Sequence, residues 1–326
     1  MNDLNRRACV LGAAALWAAA RATPAAAETY PDHPLRVIVP YAAGGASDTL
    51  ARLLADILGG QLGQTLVVEN RGGGASVVGT QAIGTARPDG YTIGVIDSAF
   101  VINPGLFGSR LPYDTVADFA PVSLVARSPL VLAVHPSVPA TTAQELVALA
   151  KARPGSIAFG SAGLGTAIHL AGEQFIQTAG VEIIHVPYRG GAPSIVDLIA
   201  GQVQMTFSTV PSILGHVRSG RVRALAVTGL GSELLPEVPT MAQAGLPGVD
   251  AAPLFGMVAP ANTPPAALAR LASLTAAAVT EGPLRRRLIE LGFEPVGSTP
   301  EAFRATIAEE VAKWTRVIQA GNIKVD

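Results

Sequence analysis

Between Arg36 and Ile96, three short runs, RVIVP, TLVVE and YTIGVI, are rich in β-branched residues and carry at most one charge each. Two stretches with helical spacing of apolar residues, Asp48–Leu58 and Val77–Ala86, separate them, and each follows a glycine-rich loop. A strand that is apolar along its whole length needs cover on both faces. A parallel sheet flanked by helices provides that cover. The order strand, helix, strand, helix, strand therefore confines the chain to the α/β class.

The same alternation returns later. Ser156–Gly160, Glu182–Pro187, Val203–Ser208 and Arg223–Thr228 read as strands. Helical patterns at Thr141–Lys151, 165–180, Ser194–Ala200 and Ile213–Ser219 accompany them. Thr141 or Thr142 offers an N-cap for the first of these, with Glu145 placed to answer it. The run PVSLVARSPLVLAV, Pro121–Val134, is too long and apolar for one buried strand and reads as a crossing between two units. LFGMVAP, Leu254–Pro260, reads as the strand that returns the chain to the first unit. Helical stretches at Pro264–Thr280, Leu284–Leu291 and Pro300–Gly321 follow. The expected division is one lobe of residues 28–127 plus 249–326 and a second lobe of residues 128–248. Both sheets are expected to be parallel-rich.

Residues 1–27 have the make-up of an export signal. Arg6-Arg7 give a basic start, CVLGAAALWAAA is an apolar run too short to span a bilayer, and Ala25-Ala26-Ala27 offers a small-residue cleavage site. The flanks of Arg6-Arg7 fit a twin-arginine signal only weakly. Loss of Arg6, Arg7, Arg21 and Asp3 leaves 20 basic and 23 acidic residues, a charge of 20 − 23 = −3. That balance gives no footprint for a nucleic acid. The only cysteine, Cys9, leaves with the signal, which excludes a disulfide, a thiol nucleophile and a thiolate metal site. The expected location is the periplasm.

Three loops at strand ends share one design. Tyr41–Asp48 (YAAGGASD), Ser161–Thr166 (SAGLGT) and Tyr188–Ala192 (YRGGA) are built from small residues, and each opens a helix. Small residues let backbone N–H groups approach a ligand, and a helix start carries unpaired N–H groups and the positive end of the dipole. Two such ends facing across a cleft suit a small carboxylate. Arg189 either pairs with that carboxylate or is structural. His169 either faces the cleft or is a hydrogen-bonded scaffold residue.

Other chemistries find no support. No glycine precedes a lysine, so there is no phosphate-binding P-loop. GLGTAI at 163–168 fails the last position of a dinucleotide fingerprint, and no cofactor is expected. The nucleophile elbow is absent around Ser161. The five histidines lack metal-ligand spacing. No local set of nucleophile, base and orienting acid assembles, so no catalytic residue is named. An exported enzyme acting on a small carboxylate is the alternative class.

Many further blocks then fall into order. They include YPDHPLRVIVPYAAGG, QTLVVENRGGG, ARPDGYT, DFAPVSLVA, KARPGSIAFGSAGLGTAIHLAGE, HVPYRGGAPSIVDLIAGQV, LPEVPTMAQAGLPG and FGMVAPANTP. Together they resemble the Bug family of periplasmic solute-binding receptors of the tripartite tricarboxylate transporter type, over Tyr30–Asp326. The resemblance implies a type II periplasmic binding-protein fold, with two α/β lobes joined by two crossover strands around a ligand cleft. It implies a non-enzymatic, monomeric receptor for a di- or tricarboxylate, an acidic or amidated amino acid, or an aromatic carboxylate. Its partners would be integral membrane transporter subunits or a sensor kinase. Carried onto this chain, first-lobe contacts come from Gly44, Gly45, Ala46, Ser47, Asp48 and Ser98. Second-lobe contacts come from Ser161, Gly163, Gly165, Thr166, Tyr188, Arg189 and Gly190, with Ser208 on the floor. Asp48 is expected to hold the loop rather than touch an anion. Ala42-Ala43, Leu254 and Ser208 depart from the family pattern and bear on ligand choice.

Overall fold

The computed structural model describes residues 30–229, 231–320 and 323. The expected signal at 1–27 lies outside these residues.

The first unit alternates as the sequence suggests. Strand β1 is Leu35–Val39, β2 is Leu66–Asn70 and β3 is Thr92–Asp97. Helix α1 is Ala46–Leu62 and α2 is Val77–Gly84. β1 lies between β2 and β3 and pairs with both in parallel. Val37 and Val39 enter one core cluster with Leu50, Leu54 and Leu58 of α1, while Ile38 enters another. The sheet is thus buried on both faces by the period-two alternation of its side chains.

The apolar run at Pro121–Val134 is two strands. β4, Phe119–Arg127, belongs to the first sheet, and β5, Leu130–Val134, to the second. The return strand β10, Leu254–Pro260, lies between β3 and β4 and is antiparallel to both. Ser128 N donates to Pro253 O at 3.0 Å, so the two crossings run side by side.

The second sheet contains β6 (Ala158–Ser161), β7 (Ile184–Pro187), β8 (Met205–Thr209) and β9 (Arg223–Val227) in the order β7-β6-β8-β5-β9. β6 pairs in parallel with β7 and β8, whereas β5 pairs antiparallel with β8 and β9. Both sheets are therefore mixed. Parallel pairing is confined to the βαβ units, and the strand that arrives in each sheet from the other, β5 or β10, runs against that direction. Leu130, Leu132 and Val134 face one cluster while Val131 and Ala133 face another, so this sheet too is covered twice.

Helices α4 (Ala143–Ala152), α5 (Ala167–Ala179), α6 (Gly191–Ile199) and α7 (Val210–Arg218) belong to the second unit. α4 begins with a reciprocal cap: Thr142 Oγ1 accepts from Glu145 N at 3.1 Å, and Glu145 accepts from Thr142 N. The C-terminal helices are α8 (Pro265–Thr280), α9 (Pro283–Leu291) and α10 (Pro300–Ala320). A two-residue strand β11, Glu294–Pro295, edges the first sheet against β4.

One helix has no counterpart in the sequence reading. α3, Ala99–Phe107, runs through Asn103-Pro104-Gly105, three residue types that favour turns. Pro104 has no N–H to give the Phe100 carbonyl. Thr115 Oγ1 donates to that carbonyl instead, at 3.2 Å. Gly105 lets α10 pass close by: a Cβ there would lie 3.0 Å from Thr315 Cα. Tertiary partners thus stabilise a helix that local propensity argues against.

Candidate functional site

A narrow cavity of about 40 Å³, partly open to solvent, lies where the two lobes meet. Its wall includes the first turns of four helices. Gly45, Ala46 and Ser47 come from the start of α1, and Thr166, Ala167 and Ile168 from α5. Gly191 comes from α6, and Thr209 with Ser212 from α7. Opening N–H groups of a helix have no intrahelical partner, and the dipole is positive there. No side chain caps α1, α6 or α7. Thr166 Oγ1 caps α5, accepting from His169 N at 3.2 Å. The lining contains no Lys, Arg or His. The arrangement can hold an anion by backbone N–H groups and hydroxyls alone.

The loops touch across the cleft. A Cβ on Gly44 would lie 3.7 Å from Ala192 Cβ, and one on Gly190 would lie 3.7 Å from Ala42 Cβ. Gly165 makes the tightest approach. Its φ is 75°, and a Cβ there would lie 2.4 Å from Leu106 Cδ1 of α3.

Of the residues expected to contact ligand, Gly45, Ala46, Ser47, Thr166 and Ser208 line the cavity. Asp48 sits behind it. Its carboxylate accepts from Gly44 N at 2.9 Å, Asn70 Nδ2 at 3.0 Å and Arg52 Nε at 3.0 Å. Burial opposes its ionisation, but Arg52, the Gly44 N–H and Asn70 hold its carboxyl below the usual range. This is the loop-holding role expected of it.

Several others are struts rather than lining. Ser98 Oγ accepts from Leu254 N at 2.9 Å and so fixes the start of β10. Ser161 is fully buried; its Oγ lies 2.6 Å from His185 Nε2 and accepts from Gly163 N at 3.1 Å. Gly163 and Gly165 shape the turn that follows. Tyr188 donates its hydroxyl to Asp197 Oδ2 at 2.7 Å, tying its loop to α6. Burial, then Asp197, push that phenol up to about 12. Arg189 is exposed and outside the lining. It follows β7, the edge strand of the second sheet. Leu254 is wholly buried, and its neighbours Pro253 and Phe255 line the cavity in its place. Alternation along the strand turns Leu254 into the core.

His169 is a scaffold residue. It is buried, its ring stacks on His185 with centroids 4.3 Å apart, and its Nδ1 accepts from Gly165 N at 3.2 Å. Its Nε2 lies 3.5 Å from Glu173 Oε1. Burial, then His169, push His185 down to about 4.

The sequence points to the loop that begins at Tyr41 and to the end of β8 that opens α7, but not to the Tyr41 hydroxyl or to Asp97. Asp97 ends β3, one residue before the Ser98 that the reading selected. Its Oδ1 accepts from the Tyr41 hydroxyl at 2.6 Å and from Ala99 N at 2.9 Å. Burial pushes Asp97 up to about 6 against those two bonds. Among the described residues no cluster of His, Cys, Asp or Glu could hold a metal, and no helix is long and apolar enough to cross a membrane.

The chain is similar to known proteins over nearly all of this architecture. The model of the tripartite tricarboxylate transporter family receptor, TctC, matches residues 50–323. Protein BugT of Bordetella pertussis is 38% identical over 306 residues, spanning 93% of this chain and 94% of BugT. The periplasmic binding protein BugD superposes with a TM-score of 0.87 at 32% identity, covering 90% of this chain and 99% of BugD. An R. palustris protein solved with adipate superposes with a TM-score of 0.88 at 33% identity, covering 90% of this chain and 99% of that one. The two mixed sheets, the paired crossings and the cleft between the lobes are those of a type II periplasmic binding protein. With a family model over most of its length and these relatives, the chain belongs to the tripartite tricarboxylate transporter receptor (TctC, or Bug) family of non-enzymatic periplasmic solute-binding proteins.

Proposed function

We propose that this receptor captures a small carboxylate between its lobes and is stabilised by it in the closed arrangement. The observation that carries the reading is the convergence of helix starts from both lobes on one cavity whose lining holds no basic side chain. A carboxylate bridging α1 and the second-lobe helices gains N–H partners only when the lobes are together. That differential affinity is what shifts the open–closed equilibrium. Gly45, Ala46, Ser47, Thr166 and Ser208 contact the ligand in this reading, with Gly191 and Thr209 added. Gly44, Asp48, Ser98, Ser161, Gly163, Gly165, Tyr188 and Gly190 set the loops. The lobes are 28–127 with 249–326, and 128–248, and the protein acts as a monomer. The closed form is then presented to integral membrane transporter subunits or to a sensor kinase. The relative solved with adipate supports the ligand class.

Thermal unfolding with a panel of mono-, di- and tricarboxylates and their amides tests this. A true ligand at about 100 times its dissociation constant adds roughly 2.7 kcal/mol of stability. A flat response across every carboxylate would sink the proposal while leaving the fold intact.

A further inference from the structure

The cavity lining combines two unlike kinds of group. One is the set of helix starts already described. The other is Asp97, the only charged side chain among the described residues of the lining. Both donors that reach Asp97, the Tyr41 hydroxyl and Ala99 N, go to Oδ1. Among the described residues no donor reaches Oδ2, although the residue lies at the end of a buried strand. Ala99 N also belongs to the first turn of α3, so Asp97 answers that helix start itself. Four helix starts attract an anion, and the fifth is already neutralised by a carboxylate. A buried orphan lies in the same lining: Ser208 Oγ has no hydrogen-bond partner.

An open carboxylate oxygen in a confined site calls for a donor. A second carboxylate placed against it cannot also stay ionised without a large cost. An ammonium or amide N–H supplies the donor and offsets the burial of the charge. We propose that Asp97 sets specificity for a small carboxylate carrying an N–H donor, an ammonium or a primary amide, at the end opposite its carboxylate. This rests on the receptor reading above and narrows it. Ser208 Oγ stands ready to give or accept one further bond to the same ligand. The raised position of Asp97 fits, because a group pushed up to about 6 by burial alone regains full ionisation when a cation arrives.

Isothermal titration calorimetry at pH 8 with chain-matched sets tests the assignment. Each set holds a dicarboxylate, its monoamide and the ω-amino acid with the same number of methylenes: succinate, succinamate and β-alanine, then glutarate, glutaramate and 4-aminobutyrate. At the chain length that binds, the amide or amine should bind at least tenfold more tightly than the dicarboxylate. The tighter of these two arms identifies the donor. In Asp97→Asn the preference should shrink by at least tenfold, with the dicarboxylate gaining. If Asp97→Asn does not fold, the wild-type series decides alone. A wild-type protein that binds the dicarboxylate as tightly as its partners, or more tightly, overturns the Asp97 assignment and leaves the receptor reading standing. Silence toward every carboxylate overturns both.

Discussion

In the first lobe the loop at 41–48 is tied by a charged carboxylate; in the second, the loop at 161–166 is tied by neutral groups, and the loop at 188–191 by a tyrosine hydroxyl on an aspartate. Asp48, nearly buried, gathers Gly44 N, Asn70 and Arg52 around one ionised side chain. The second lobe uses the hydroxyl of Ser161 on His185, the His169–His185 stack and the Tyr188–Asp197 bond. The two halves of the clamp therefore respond differently to substitution and to pH, although both present helix starts to the same cavity. An ionised anchor fails when its charge is removed. A neutral histidine anchor fails when a charge is added.

The largest effect expected is that of Asp48→Ala. It leaves the Gly44 N–H, the Asn70 amide and the Arg52 guanidinium without their shared acceptor, at a cost of about 3 kcal/mol. Urea unfolding measures it, and a loss under about 1 kcal/mol would mean that packing, not the ion, holds the first loop.

Gly165→Ala probes the place where the halves meet. The added methyl faces Leu106 Cδ1 at 2.4 Å, so bringing the lobes together costs about 2 kcal/mol. Ligand affinity should fall at least about tenfold by calorimetry. Unchanged affinity would show that binding does not need this approach.

The smallest effect is the pH response of the second lobe. His185, packed among Ser161, His169 and Glu173, is pushed down to about 4, while the unfolded chain takes up its proton near about 6.5. Its contribution is full above that value and is lost as pH falls from about 6.5 through 4. Asp48 has the same sense but acts lower, because its folded value lies below the usual carboxylate range. Between about pH 6.5 and 4.5 the loop at 161–166 should lose roughly 1 kcal/mol of protection while 44–48 holds. Hydrogen exchange resolves the two loops, and parallel loss would break the comparison.

Much of the fold was legible because strand alternation and loop composition carry it locally. The crossing at 121–134 stood out as too long for one strand, and it is two strands in two sheets. α3 was hidden because Asn103-Pro104-Gly105 carries turn chemistry. The hydroxyl of Thr115 takes up the Phe100 carbonyl that Pro104 leaves without a donor, and Gly105 lets α10 pack against the helix. The site was legible as loops but not as side chains. Arg189 stood out by residue type and Leu254 as a departure from the family pattern, yet one is exposed and the other packs in the core. Asp97 was missed by a single position, since the residue at a strand's last pleat and the one after it differ in facing.

The sequence by itself determined the α/β class, the two units and their crossings, and the small-residue loops that open helices. Those follow from periodicity and from glycine's freedom, which act over a few residues. The tertiary structure alone decided which helix starts share a cavity, and that Asp97 faces it while Ser98 secures β10. It also decided that His169 and His185 stack behind the second loop. These depend on how two sheets pack across a cleft, and the contacts join residues far apart in the chain that no local pattern relates.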